Sequence, residues 1–432
     1  LNFPISDLKF GRTFINSIAE IKLAAAQTNQ ELGALSNEIA EAIITASREV
    51  SEGKHDKEFI VDIFQTGSGT STNMNTNEVI SNVAIKNLGG KIGSRIPVHP
   101  NDHVNKGQSS NDVIPTAIHI AGCLSINNSL MPSLEILRNS LLKKSEEFWS
   151  VIKTGRTHLQ DATPIRLGQE FLGYAGQIEL AIHRLEGALK ELSFLALGGT
   201  AVGTGIGMQK GFSKKVITRL SERFDIKFSE SPNHFQSQST IDAIVQASGS
   251  LKTTAVSLMK IGNDIRWLGS GPRAGIGEIS LPEVQPGSSI MPGKINPVIA
   301  ESLTMVCAQV IGNDQTITIA GQSGNFELNV MMPVAAYNIL QSIDLLSTSS
   351  RNFAVQCIDG LVSTEKGPDM VENGLAICTA LAPEIGYDNA ANIAHIASSS
   401  GESILEVAIR ETEFSAEELK VILNAEKMTE PS

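Results

Sequence analysis

The sequence predicts an all-α, mainly helical protein built on a central bundle of long helices, and three observations carry that prediction. Apolar residues recur at steps of three and four through stretches longer than an ordinary globular helix. Aromatic residues make up only 5% of the chain, which favours aliphatic packing between helices over an aromatic-rich β fold. Apolar residues at 41% against charged ones at 19% exclude a disordered chain, and 432 residues point to two or three structural units around substantial cores.

Residues 1–108 mix short helical patterns with polar loops, notably 65–73, and read as a first, loop-bearing domain. Residues 109–365 read as the bundle domain. One segment there places Phe171, Tyr174, Ile178, Ile182, Leu185, Leu189, Leu192 and Leu195 at helical steps, and a second does the same with Ile241, Val245, Leu251, Leu258, Ile261, Ile265 and Leu268. After residue 365 the pattern shortens, and Pro383 and Gly386 mark a break within a small helical domain, 366–432. A helix over 168–197 would rise about 45 Å. The polar loops at its ends, 155–164 and 198–207, then cannot share one pocket within a chain. If both serve active sites, other copies complete those sites, which predicts a homo-oligomer of bundled helices.

The net charge of −12 argues against nucleic acid or an anionic membrane face as partners, and obliges any anionic substrate to find a local trap of donors. The four cysteines, Cys123, Cys307, Cys357 and Cys378, lie far apart with no CxxC pair, so they read as reduced core thiols rather than zinc or iron–sulfur ligands. No apolar run reaches the length of a membrane span, and no signal-like start is present. The expected location is the cytoplasm, or the mitochondrial matrix if a targeting segment once preceded Leu1.

Four islands of glycine and small polar residues interrupt the helical background, at 65–78, 99–116, 155–164 and 285–301. Ser109, Ser110, Asn111 and Asp112 are N-cap formers ahead of an apolar periodic stretch, so they either cap a helix or offer its free N–H groups to an anion. His158 sits among hydroxyls and a carboxylate and is a candidate acid or base, although an isolated histidine more often bridges a turn. His99 and His103 are four apart, but Pro100 and Asn101 deny them the helical face a metal would need. Residues 286–297 enclose Ser288 and Ser289 between proline and glycine, with Lys294 and Asn296 placed to offer a charge and an amide to a carboxylate. By composition alone this is equally a stiff surface loop. It is no Walker loop, because five residues separate Gly287 from Gly293 and Ile295 stands where a magnesium-binding hydroxyl would be. The glycines 203, 205 and 207 fail the dinucleotide pattern at their last position.

Residues 287–296, Gly-Ser-Ser-Ile-Met-Pro-Gly-Lys-Ile-Asn, resemble the signature loop of the fumarase and aspartase superfamily. Residues 98–105, 108–112, 157–164 and 323–329 resemble the class II fumarases within it, and the likeness covers almost the whole chain. That resemblance implies a three-domain fold whose long-helix bundle forms the core of a homotetramer, active sites drawing on three chains, and no metal or other cofactor. It implies reversible hydration of fumarate to (S)-malate in the tricarboxylic acid cycle, with small dicarboxylates as partners. Carried onto matching positions, Ser288 resembles the base and His158 the group that handles the proton of water, with Glu301 as its orienting partner. Ser68, Thr70, Ser109, Ser110, Asn111, Thr157, Ser289, Lys294 and Asn296 resemble carboxylate contacts, and His99, Asn101 and Asp102 an accessory anion site. Residue chemistry alone favours His158 as the base, since a serine hydroxyl ionises far above neutral pH. Gly107 departs from the serine common in the family.

Aspartate ammonia-lyase is the nearest alternative. Residues 297–299 lean toward it, whereas Gly293, Asp102, Ser110, Thr163 and residues 325–327 favour fumarase. A non-catalytic scaffold on the same fold is a second alternative, against which the intact Ser288, His158, Lys294, Asn296 and Glu301 speak.

Overall fold

Most of the helical periodicity becomes helix. In the computed structural model, which describes residues 2–431, the chain runs through α1 (Arg12–Glu31), α2 (Asn37–Ser51), α3 (Thr70–Asn87), α4 (Ser110–Ser125) and α5 (Met131–Glu147) to a β1 (Ile152–Thr157) and β2 (Gln160–Arg166) hairpin. It continues with α6 (Leu167–Leu192), α7 (Phe212–Phe224), α8 (His234–Ser239), α9 (Asp242–Leu268), α10 (Val298–Gly321) and α11 (Met332–Gln356), then short helices between Lys366 and Ile422. The antiparallel hairpin is the longest strand pair among the described residues, the others being two residues each. The expected mainly helical architecture is what the chain adopts. No described helix is long and apolar enough to cross a membrane.

The chain resolves into two compact units, each gathered from three sequence stretches. One takes residues up to 133, 181–256 and 306–348, and the other takes 134–180, 257–305 and 349 onward. In the first unit α1 packs against α2, α3, α4 and α7 and is buried almost all round. Ile15, Ala19, Ile43, Val50, Ile80 and Ala84 form part of its core, each large aliphatic contributing about 1.5–3 kcal/mol of transfer free energy. In the second unit the C-terminal helices close around Leu381, Ile393, Ile404, Val407 and Leu419. Ser403 with Glu406, and Ser415 with Glu418, form reciprocal capping boxes at two of those helix starts.

Two local expectations change. Leu195 continues the apolar period of α6, yet the helix stops at Leu192, and Phe194 and Leu195 form a short parallel pair with Ser229 and Glu230. Both settings bury the side chain, so periodicity cannot tell them apart. Residues 155–164, expected as a loop, lie mostly in the hairpin, whose turn is the two residues His158 and Leu159.

Candidate functional site

The candidate residues fall into two groups, one in each unit. In the first unit, Ser109 caps α4. Its Oγ accepts from Asn111 N at 3.2 Å, and its own N–H donates to Asp112 Oδ1 at 2.9 Å. Asp112 Oδ2 accepts from Gly198 N and Thr200 N, both at 3.0 Å, so one buried carboxylate ties the helix start to the 198–200 loop. Burial pushes the Asp112 carboxyl above its usual range, against those three N–H groups and the charge of Lys22. Asn111 Nδ2 donates to Ala201 O at 2.9 Å. Ser68 and Thr70, at the start of α3, share a 2.7 Å hydrogen bond between their hydroxyls. Asn73 Nδ2 donates to Ser110 Oγ at 3.0 Å and joins the two helix starts. Small polar side chains and N–H groups thus crowd one place with no acidic group exposed among Ser109, Ser110 and Asn111, which suits a carboxylate.

Behind this cradle lies a residue that sequence reasoning missed. Lys22, fully buried on α1, donates from Nζ to Asn105 Oδ1 at 2.9 Å and to Gln108 Oε1 at 3.0 Å. Burial pulls its amine down to about 7, against the charge of Asp112. A lysine within an apolar helix pattern reads as surface, and nothing local in the sequence marks it otherwise.

In the second unit, the β1–β2 turn places His158 and Leu159 at φ 56° and 60°, both left-handed. Two such residues match the twist of a tight hairpin, but neither is glycine, so the backbone is strained at the point where the imidazole is presented. His158 is exposed, as are Thr157 and Leu159. The base of the hairpin is the opposite. Lys153 and Glu278 are each 1% exposed and 3.1 Å apart, Arg156 Nη2 reaches Glu278 at 2.8 Å, and Lys153 also pairs with Glu170 at 2.7 Å. Burial raises the Glu170 carboxyl, opposed by Lys153. A cavity of about 620 Å³ lies against this base, lined among others by Gly155, Thr157, Glu170, Tyr174, Lys260 and Asp264.

Glu278 directly precedes the segment that leads into the serine loop. Ser288 Oγ accepts from Ile290 N at 3.3 Å and Met291 N at 2.9 Å. Two N–H groups are thus aimed at one hydroxyl oxygen, the donors an oxyanion at that position would use. Asn296 Nδ2 donates to Gly287 O and closes the loop. Gly287 is required there, because a Cβ would lie 1.8 Å from Lys294 O. Ser289 and Lys294 are exposed, and Glu301 stands in the first turn of α10. Among the described residues no ion pair joins Glu301 to His158 within the chain.

His99 Nδ1 accepts from Asn101 N at 3.3 Å and Asp102 N at 3.1 Å, capping a π-helical turn, Pro100–Val104. Its ring nitrogen therefore occupies two N–H groups of the expected accessory anion site. Gly107 has φ 73°, a left-handed conformation that explains glycine at that position.

A family model described as lyase matches residues 2–312, and one described as fumarase C C-terminus matches residues 377–430. The chain is 49% identical over 431 residues to a protein named fumarate hydratase class II 2 from Bradyrhizobium diazoefficiens, covering 100% of this chain and 91% of that one. It is 51% identical over 432 residues to fumarate hydratase class II from Rickettsia bellii, covering 100% and 93%. The crystal structure of recombinant class II fumarase from Schistosoma mansoni superposes with a TM-score of 0.97 at 41% identity, covering 99% of this chain and 93% of that one.

Proposed function

Because this chain belongs to the lyase family, in its class II fumarate hydratase branch, we propose that it catalyses the reversible hydration of fumarate to (S)-malate. The observation that carries the reading is near-50% identity along the full chain with the serine loop, residues 287–296, intact. In the dehydration direction Ser288, as its oxyanion, takes the proton from the carbon beside one carboxylate and becomes a neutral hydroxyl. The electron pair passes into that carboxylate as a doubly charged species. The hydroxyl then leaves from the neighbouring carbon, and His158 supplies its proton so that water departs and fumarate remains. Lys294, Asn296 and the N–H groups at the start of α4 meet charge that develops only in the transition state. Ser68, Thr70, Ser109, Ser110, Asn111, Thr157 and Ser289 hold the substrate carboxylates, and Glu301 orients His158.

The two groups of residues meet, in this reading, in a homotetramer. The 26 residues of α6 give a rise of about 39 Å, so a site using groups from both of its ends draws them from different copies. The enzyme serves the tricarboxylic acid cycle in the cytoplasm and needs no added cofactor. His99, Asn101 and Asp102 are retained as an accessory anion site, with the side chains rather than the capped N–H groups as its donors. A spectrophotometric assay with malate and with aspartate tests the assignment. Fumarate from malate alone is the expected result, and fumarate from aspartate alone would replace it with an ammonia-lyase.

A further inference from the structure

Ser110 stands at the first position of α4, and a hydroxyl there serves a carboxylate only if its proton points out of the protein. A serine oxygen accepts as readily as it donates, so something has to set that direction. Behind Ser110 runs a chain of side chains from unbranched donors to the helix start. Gln108 Nε2 donates to Val104 O and Lys106 O, both at 3.2 Å, which turns its Oε1 toward Lys22. Asn105 Nδ2 donates to Gln108 O at 3.1 Å, which leaves Asn105 Oδ1 facing the Lys22 Nζ that donates to it at 2.9 Å. Both amides are thereby fixed, and Asn105 Oδ1 can only accept. Asn73 reaches that same oxygen with Nδ2 at 3.3 Å, and the same Nδ2 donates to Ser110 Oγ at 3.0 Å. Turning Asn73 over would set its oxygen against the oxygen of Asn105. Its Oδ1 is instead buried with no hydrogen-bond partner among the described residues, a cost the molecule bears with this orientation in place.

From this we infer that Lys22, Asn105 and Asn73 are positioning residues for substrate binding: a buried relay of one-way hydrogen bonds occupies the Ser110 oxygen from behind and leaves its proton to donate to a carboxylate of the dicarboxylate substrate. The inference rests on the reading of Ser110 as a substrate contact. Lys22 and Asn73 are both 0% exposed, so neither touches substrate, and their effect passes entirely through the serine.

Two isosteric substitutions separate polarity from charge. Each introduces one carboxylate into the relay, Asn105→Asp directly against Lys22 Nζ and Asn73→Asp against Asn105 Oδ1 and Ser110 Oγ. Asn105→Asp gives up the donation to Gln108 O but keeps an acceptor facing Lys22 and Asn73, so the relay keeps its direction toward Ser110. Asn73→Asp removes the donor to Ser110 and invites the serine proton inward. Asn73→Asp is expected to raise KM for fumarate, and the inhibition constant of a saturated four-carbon dicarboxylate, by about tenfold or more, the worth of one hydrogen bond to a charged group. Asn105→Asp is expected to raise both by several-fold less. In a Ser110→Ala background the Asn73→Asp effect should shrink to about twofold, because the two changes act through one contact. Equal effects of the two aspartates, or full additivity with Ser110→Ala, overturn the relay while leaving Ser110 as a contact. A Ser110→Ala enzyme with unchanged KM removes Ser110 from the site and the inference with it. Neutron diffraction of the unmodified protein gives the answer without any variant. The relay requires a deuteron on Asn73 Nδ2 directed at Ser110 Oγ, and a Ser110 deuteron directed at Asn73 contradicts it.

Discussion

At the start of α4, a buried Asp112 takes three backbone N–H groups and a buried Lys22 donates to two amides, so the side chains facing outward stand on a buried hydrogen-bonded network. At the hairpin tip His158 is exposed and on the serine loop Ser288 is half-buried, with Leu159 66% and Ile290 84% exposed beside them. Only the roots of that second region are organised, through Lys153, Arg156 and Glu278 under the hairpin and the Gly287 closure of the loop. The difference separates two tasks. Holding a carboxylate needs donors whose direction is settled before the ligand arrives. Moving protons needs groups that become dry only when a covering surface arrives, and large exposed apolar side chains flanking His158 and Ser288 are what such a surface would cover.

That comparison is broken or sharpened by four changes, in decreasing order of effect. Ser288→Ala should lower kcat by about a thousandfold with circular dichroism and oligomeric state unchanged, since it removes a proton-transfer group from an exposed loop. Near-normal turnover would take Ser288 out of the mechanism. Asp112→Ala belongs to the organised region and should cost roughly 3–5 kcal/mol in urea unfolding, because it leaves buried N–H groups and the Lys22 charge without their partner. A loss under about 1 kcal/mol would mean that the helix start does not depend on it. Leu159→Gly should raise stability by about 1 kcal/mol, since glycine occupies the left-handed region freely. A destabilised variant would show the turn to be held by the leucine side chain. The smallest effect is a null one. Burial pushes the Cys123, Cys307 and Cys357 thiols up to about 12, so at pH 8 a disulfide reagent should leave all three unmodified in the native protein. Cys378 is only partly buried and is the thiol expected to react. Rapid labelling of more than one thiol would contradict the packing.

The bundle was legible because burial there is apolar and periodic, as Phe171 to Leu192 on α6 and Ile244 to Leu268 on α9 show. α3 was not. It begins Thr-Ser-Thr-Asn-Met-Asn-Thr-Asn, a poor helix former that reads as loop, yet Thr72, Asn73, Thr76 and Asn77 are all buried. Its side chains find hydrogen bonds inside the protein, such as Thr72 with Gln65 and Thr76 with Thr72 O, and those offset the propensity. The candidate residues for the chemistry were chosen from motif identity, but the groups that support them in the fold were not. Lys22, Lys153 and Glu278 are charged residues at 0–1% exposure, and only the tertiary structure brings Lys22 to Asn105 and Gln108 and Lys153 to Glu278. Asn105 lay inside a recognised motif without a role until its hydrogen bonds gave it one.

The proposed meeting of the two regions in one oligomeric site is tested most directly by subunit mixing. Asn111→Asp and Ser288→Ala enzymes, each inactive alone, are unfolded together and refolded as mixed oligomers. If each site takes its carboxylate cradle and its serine from different copies, random assortment restores about a quarter of the sites, and activity should rise toward that fraction of the unmodified enzyme. If every mixing ratio leaves only the activity of the parents, both groups belong to a site within one chain, and the account is wrong.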